Sequence, residues 1–152
     1  MHYDDFLKTS ALKRYAMAIN LRARNLNAHG DITPEMLQSL ILDSGGCCAW
    51  CGVTIAGRDF EIDHILALSR GGSNTVDNLA VTCAPCNRRK SDKHPARFAL
   101  EIAATHEPLT PLIRHLLAVH GQDAQHQPPL FGDDPADSDE SPPRWHYTPP
   151  ES

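Results

Sequence analysis

Between Asp4 and Asn27 the apolar residues Leu7, Leu12, Tyr15, Ile19 and Leu26 recur at loosely helical spacing, with Lys8, Lys13, Arg14, Arg22 and Arg24 among them. The pattern predicts one or two basic amphipathic helices, their cationic face either solvated or a phosphate-contacting arm. Thr33-Pro34-Glu35 reads as an N-cap with proline in the first turn. Met36, Leu37, Leu40 and Ile41 follow at core-facing spacing, and Gly45-Gly46 stop the helix, which should pack on a cysteine knuckle just downstream. Gly52 and Gly57 flank Val53-Thr54-Ile55, a short strand and turn. Phe60 to Ile65 alternates as a strand with Phe60, Ile62 and His64 on one face and Glu61, Asp63 and Ile65 on the other. The neighbours Asp63 and His64 serve one site only if the strand twists or ends there, which the loop Ser69-Arg70-Gly71-Gly72-Ser73-Asn74 permits. Leu79-Ala80-Val81 forms a second strand, and a helix from Cys86 to about Asp92 carries Asn87, Arg88, Arg89 and Lys90. Two further helices, Ala96 to Ala104 and Pro111 to Val119, offer Phe98, Leu100, Ile102, Leu112, Ile113, Leu116 and Leu117 for burial.

Beyond Gly121 the periodicity ends. Seven of the twelve prolines lie in this last segment, together with seven acids against the single base Arg144, which predicts a disordered tail. At 152 residues the chain fits one domain plus flanking pieces. These are a helical segment over 1–44, a central core over 45–95, helices over 96–120 and the tail over 121–152. The formal charge of −5 hides an asymmetry, because residues 1–120 carry 13 Lys/Arg against 12 Asp/Glu. Local charge sets phosphate attraction, so the body can bind DNA while the tail repels it. No apolar run approaches 18 residues, which predicts neither a transmembrane helix nor a secretory leader, and a cytoplasmic protein with no membrane partner.

Five cysteines at close spacing fit metal thiolates in a reducing compartment better than a disulfide framework. Two Cys-x-x-Cys knuckles, Cys48/Cys51 and Cys83/Cys86, complete a tetrahedral structural Zn²⁺ site, and Cys47 is the spare because it breaks the knuckle spacing.

Inside that frame stand Glu61-Ile62-Asp63-His64-Ile65, Ser69-Arg70-Gly71-Gly72, Asn78-Leu79 and Cys86-Asn87-Arg88-Arg89-Lys90. In order and spacing these resemble the HNH endonuclease family. The resemblance implies an α+β fold: a zinc-stapled ββα-metal, treble-clef-like core with flanking helices. It implies a prokaryotic or phage-encoded, metal-dependent endonuclease with His64 as general base. Asp63 and Asn87 would be ligands of a catalytic divalent metal, and Asn78 the brace of the loop behind His64. Arg88, Arg89, Lys90 and Arg70 would contact DNA, Lys90 nearest the scissile phosphate. Asn87 stands where the family often has His, and as an amide oxygen it favours Mg²⁺ or Mn²⁺ over Zn²⁺. Ala67 replaces a frequent Pro.

The chemistry asks for the same residue types. A neutral imidazole can take a proton from the attacking water, and a hard cation on carboxylate and amide oxygens can stabilise charge on the phosphate. The competing readings are a non-catalytic zinc module that binds DNA or protein, against which stands the joint presence of Asp63, His64, Asn78 and Asn87, none required by the zinc, and an adaptor whose function lies in the tail. In the tail, Gln127-Pro128-Pro129-Leu130-Phe131 resembles the peptide with which bacterial replication and repair proteins dock on the sliding clamp. Gln127, Leu130 and Phe131 would be its contacts, chance occurrence or back-folding of Leu130-Phe131 onto the domain being the alternatives. The other eight histidines, His2, His29, His94, His106, His115, His120, His126 and His146, show no ligand spacing.

Overall fold

The computed structural model describes residues 2–125, without the side chains of Leu7 and residues 121–125. The clamp-like peptide and nearly all of the proline-rich tail lie outside the described residues. Among the described residues the architecture is α+β: five helices around a two-stranded antiparallel sheet. A 3₁₀ turn over Tyr3–Leu7 leads into α1, Thr9–Asn25, which buries Leu12, Ala16 and Ala23 along one stripe and leaves Lys13, Arg14, Arg22 and Arg24 exposed. Arg22 and Arg24 fall in its last turn, where the helix dipole favours cations. Helix α2, Pro34–Asp43, starts as its sequence dictates, with Thr33 Oγ1 accepting the Met36 amide at 3.1 Å, and buries Leu37 and Ile41.

Strands β1, Glu61–His64, and β2, Leu79–Thr82, pair so that Asp63 faces Ala80 and His64 faces Leu79. Helix α3, Ala84–Lys90, follows directly and completes a ββα unit. It begins two residues earlier than the sequence pattern suggests, because Pro85 supplies a preset φ in the first turn. The expected strand at Val53-Thr54-Ile55 reduces to one isolated bridge between Cys47 and Thr54. Val53 stays exposed, so this stretch lacks the alternating burial that sustains a strand. Helix α4, Pro95–Ala103, and α5, Pro111–Gln125, close the fold. The α5 backbone continues through Gly121 to Gln125, contrary to the expected break; one interior glycine costs about 1 kcal/mol relative to alanine, too little to stop a formed helix.

One apolar core joins these pieces. Phe6, Leu12, Leu37 and Ile41 from the N-terminal segment, Trp50, Phe60 and Ile62 from the centre, and Phe98, Ile102, Ile113 and Leu116 from α4 and α5 are buried in a single cluster with Cys48, Cys83 and Cys86. Trp50 and Phe98 meet edge-on at 5.0 Å, and Thr110 Oγ1 donates to the Ala49 carbonyl at 2.6 Å, which fastens the start of α5 to the first knuckle. Among the described residues no helix is long and apolar enough to cross a membrane.

Candidate active site

The four thiols of Cys48, Cys51, Cys83 and Cys86 converge, all sulfurs lying within 4.8 Å of one another. Cys51 and Cys83 are 3.8 Å apart, which matches the edge of about 3.8 Å expected for sulfurs placed about 2.3 Å from a tetrahedral Zn²⁺. Cys47 stands outside the cluster, its thiol directed at the Gly45 carbonyl. The donor chemistry also fits a cation. A hydrogen bond from Cys86 brings Cys48 down to about 5, while burial pushes Cys83 up to about 11, and Cys86 is raised by the proton it gives to Cys48. Four thiolates at this spacing repel one another unless a dication neutralises them.

This frame ties the junction of β2 and α3 to the knuckle that precedes β1. A cleft of about 700 Å³ opens beside it, lined by Glu61, Asp63 and His64 of β1, Asn87 and Arg88 of α3, and Tyr15, Ile19 and Arg22 of α1. Asp63 and His64 thus reach the same cleft although neighbours in a strand: β1 ends at His64, and the chain turns away into the loop. Helix α1 meets the outer edge of β1 at one point, where the Ile62 amide donates to Tyr15 Oη at 3.1 Å. Burial raises the pKa of that phenol, so it stays a neutral partner.

His64 is 7% exposed, and its Nε2 lies 3.0 Å from Asn74 Oδ1. Desolvation lowers its pKa below the ordinary 6.5; the Asn74 contact and the Asp63 charge oppose the shift, and Arg22 and Lys90 add to it. Behind it Asn78, 1% exposed, accepts the Leu66 amide through Oδ1 and donates through Nδ2 to the Leu66 and Ser73 carbonyls, clamping the loop across its two ends. Gly72 belongs to this clamp, since a Cβ there would sit 1.8 Å from the Leu66 carbonyl oxygen.

Asp63 Oδ2 is buried and lies 2.9 Å from Lys90 Nζ, yet the ammonium is off the oxygen's hydrogen-bonding direction. The contact is one of charge, and because Oδ2 is closed off, Oδ1 is the oxygen that can face the cleft. Asn87 donates through Nδ2 to Glu61, which leaves its amide oxygen unbonded among the described residues. A carboxylate and an amide oxygen on one cleft wall fit a hard divalent cation such as Mg²⁺ or Mn²⁺.

Lys90 corrects the sequence reading. Expected near the scissile phosphate, it is fully buried, donating to the His64 carbonyl at 3.0 Å and lying 6.0 Å from the Trp50 ring centre. Helical geometry explains the difference, because residues 88, 89 and 90 point about 100° apart. Arg88 turns to the cleft, Arg89 to Phe98 at 5.9 Å, and Lys90 into the core. Arg70 bonds the Asp92 carbonyl, tying the glycine-rich loop to the end of α3. The site also holds residues to which the motif reading gave no role. Glu61 was visible beside Asp63 at the two-residue spacing of one strand face. Arg22 was visible only as one base among several on α1, and nothing in the sequence marked Asn20 or Asn74, whose partners are distant in the chain.

Residues 48–102 match the HNH endonuclease family, so the thiol frame, the ββα unit and α4 are the part of the chain that carries that family's pattern. Among characterised proteins, the CRISPR-associated endonuclease Cas9 of Actinomyces naeslundii is 37% identical over 67 residues, 43% of this chain and 6% of that protein. The chain thus spans a small fraction of this relative's length.

Proposed function

We propose that the protein is a metal-dependent DNA endonuclease in which His64 takes the proton of the water that attacks a phosphodiester. The observation that carries this reading is the cleft that collects His64, Asp63 and Asn87 from two elements of the thiol-framed ββα unit. Burial keeps His64 neutral at cellular pH, so its ring retains a lone pair for the water proton. Asp63 and Asn87 would hold a divalent cation, which when bound supplies positive charge to the phosphate oxygens as negative charge builds on them. Arg22 and Arg88, exposed at the rim, attract the DNA backbone, and Asn78 holds the loop that backs His64. Lys90 matches the charge of Asp63 from the core side and fixes the His64 carbonyl, so it orients the site without touching DNA.

The test is nicking of supercoiled plasmid in Mg²⁺ by the zinc-loaded protein and by His64→Ala. The variant should lose activity by about 10²- to 10⁴-fold with zinc content and melting unchanged. Turnover at the wild-type rate in His64→Ala, with contaminating nuclease excluded, would overturn the mechanism.

A further inference from the structure

The amide of Asn74 is 0% exposed and every polar atom of it is used. Its Nδ2 donates to Asn20 Oδ1 at 2.9 Å and to the Gly30 carbonyl at 3.1 Å, and its Oδ1 meets His64 Nε2. Asn20 is itself oriented by the backbone: its Oδ1 accepts the Ile32 amide at 2.8 Å and its Nδ2 donates to the Ile32 carbonyl at 2.9 Å. Backbone groups cannot exchange donor for acceptor, so Asn20 has one amide orientation. Asn74 inherits it, because its nitrogen faces two acceptors. Only an acceptor then faces His64, and Nε2 must carry the ring proton. Nδ1 takes no hydrogen bond among the described residues and is not closed off from solvent, so it is the free lone pair at the cleft. The backbone joins the same arrangement. The Asn74 amide donates to the His29 carbonyl at 2.6 Å, and Gly30, at φ +109°, has no room for a Cβ, which would lie 2.3 Å from the Asn74 carbonyl oxygen.

We propose that Asn20 and Asn74 are positioning residues that lock His64 in its Nε2–H tautomer, so that helix α1, outside the family-matched segment, completes the active site. The inference rests on His64 being the general base. An imidazole in the other tautomer presents N–H to the water and cannot take its proton. Without Asn20, the Gly30 carbonyl alone holds the Asn74 nitrogen; with one of its two acceptors gone the amide rotates more readily to offer Nδ2 to the ring, and the wrong tautomer becomes populated.

The experiment is nitrogen-15 NMR of the ring of His64 in the full-length, zinc-loaded protein above neutral pH, paired with plasmid nicking. The wild type should show a protonated Nε2 and a pyridine-like Nδ1. Asn20→Ala should mix the tautomers and lower kcat by about ten- to a hundredfold at unchanged KM, with zinc content retained. Adding Asn74→Asp to Asn20→Ala should restore the Nε2–H tautomer, because a carboxylate can only accept from the ring. A wild-type spectrum with protonated Nδ1 would overturn the inference without any variant having to fold. So would an Asn20→Ala protein with an unchanged spectrum and rate. The spectrum does not depend on turnover: an active His64→Ala protein would remove the general-base reading while the measured tautomer still reported on the two asparagines.

Discussion

Lys90 and Asp63 form an ion pair at 2.9 Å in which the lysine is wholly buried and the aspartate stands on the cleft wall. Truncating one partner leaves the other charge in a poorly solvated place. Lys90→Met should lower stability by about 3 kcal/mol, read from urea unfolding. The same variant should leave the salt dependence of DNA binding unchanged, whereas Arg88→Ala should reduce the slope of log K against log salt by about 1. An equal loss of slope in both variants would put Lys90 on the phosphates after all.

Metal analysis should find one Zn²⁺ per chain on Cys48, Cys51, Cys83 and Cys86, since the two four-residue strands cannot hold a sheet alone. Chelation should abolish the cooperative melt. Cys48→Ser should lose the metal and Cys47→Ser should keep it, and the reverse result would redraw the site.

Asn78→Ala should destabilise by about 3 kcal/mol, because three hydrogen bonds vanish and the half-buried Leu66 and Ser73 backbone groups lose their partner. Hydrogen exchange should quicken across residues 66 to 73 before the helices open. Uniform exchange throughout the chain would show that the clamp is not local.

The His64 ring should titrate with a midpoint below 6.5 when followed by proton NMR in zinc-loaded protein. The unfolded chain then binds a proton more readily than the folded one. The contribution of His64 to stability is therefore full above 6.5 and falls as pH drops through and below that value. The acid limb of nicking should also lie below 6.5. A midpoint above it would mean that burial is not the dominant influence on the ring.

Truncation after Gln125 removes six acids and one arginine and no residue of the described core. The shortened protein should keep its melting temperature and nicking rate and bind DNA at least as tightly. Separately, Leu130→Ala with Phe131→Ala in the full chain should abolish any retention on immobilised sliding clamp while leaving naked-plasmid nicking unchanged. Aggregation or loss of activity on truncation would mean that the last segment supports the domain.

Local chemistry explains which parts of this fold could be read in advance. The two Cys-x-x-Cys knuckles, the start of α2 at Thr33 and the two short strands each follow from spacings of a few residues. Asn78 belongs to a motif, and its bonds to residues 66 and 73 stay close in sequence. Asn20 and Asn74 are 54 positions apart, joined by an amide contact that no periodicity encodes. Lys90 was misplaced for a related reason: a run of three bases describes charge, while only the packing of α3 decides which of them faces the core.

The tie between Cys51 and Cys83 closes residues 52–82 into a loop that holds Asp63, His64, Asn74 and Asn78. Its outer stretch, Ala56 to Asp59, is exposed and lines no part of the cleft. A protease cutting there yields two fragments, each with one knuckle, that the shared metal and the shared core keep together. Limited digestion should thus give two bands on a denaturing gel and a single species by size exclusion, separable by a chelator. Permuted chains with new termini at this stretch have the same license to fold, because the metal replaces the peptide bond as the connection.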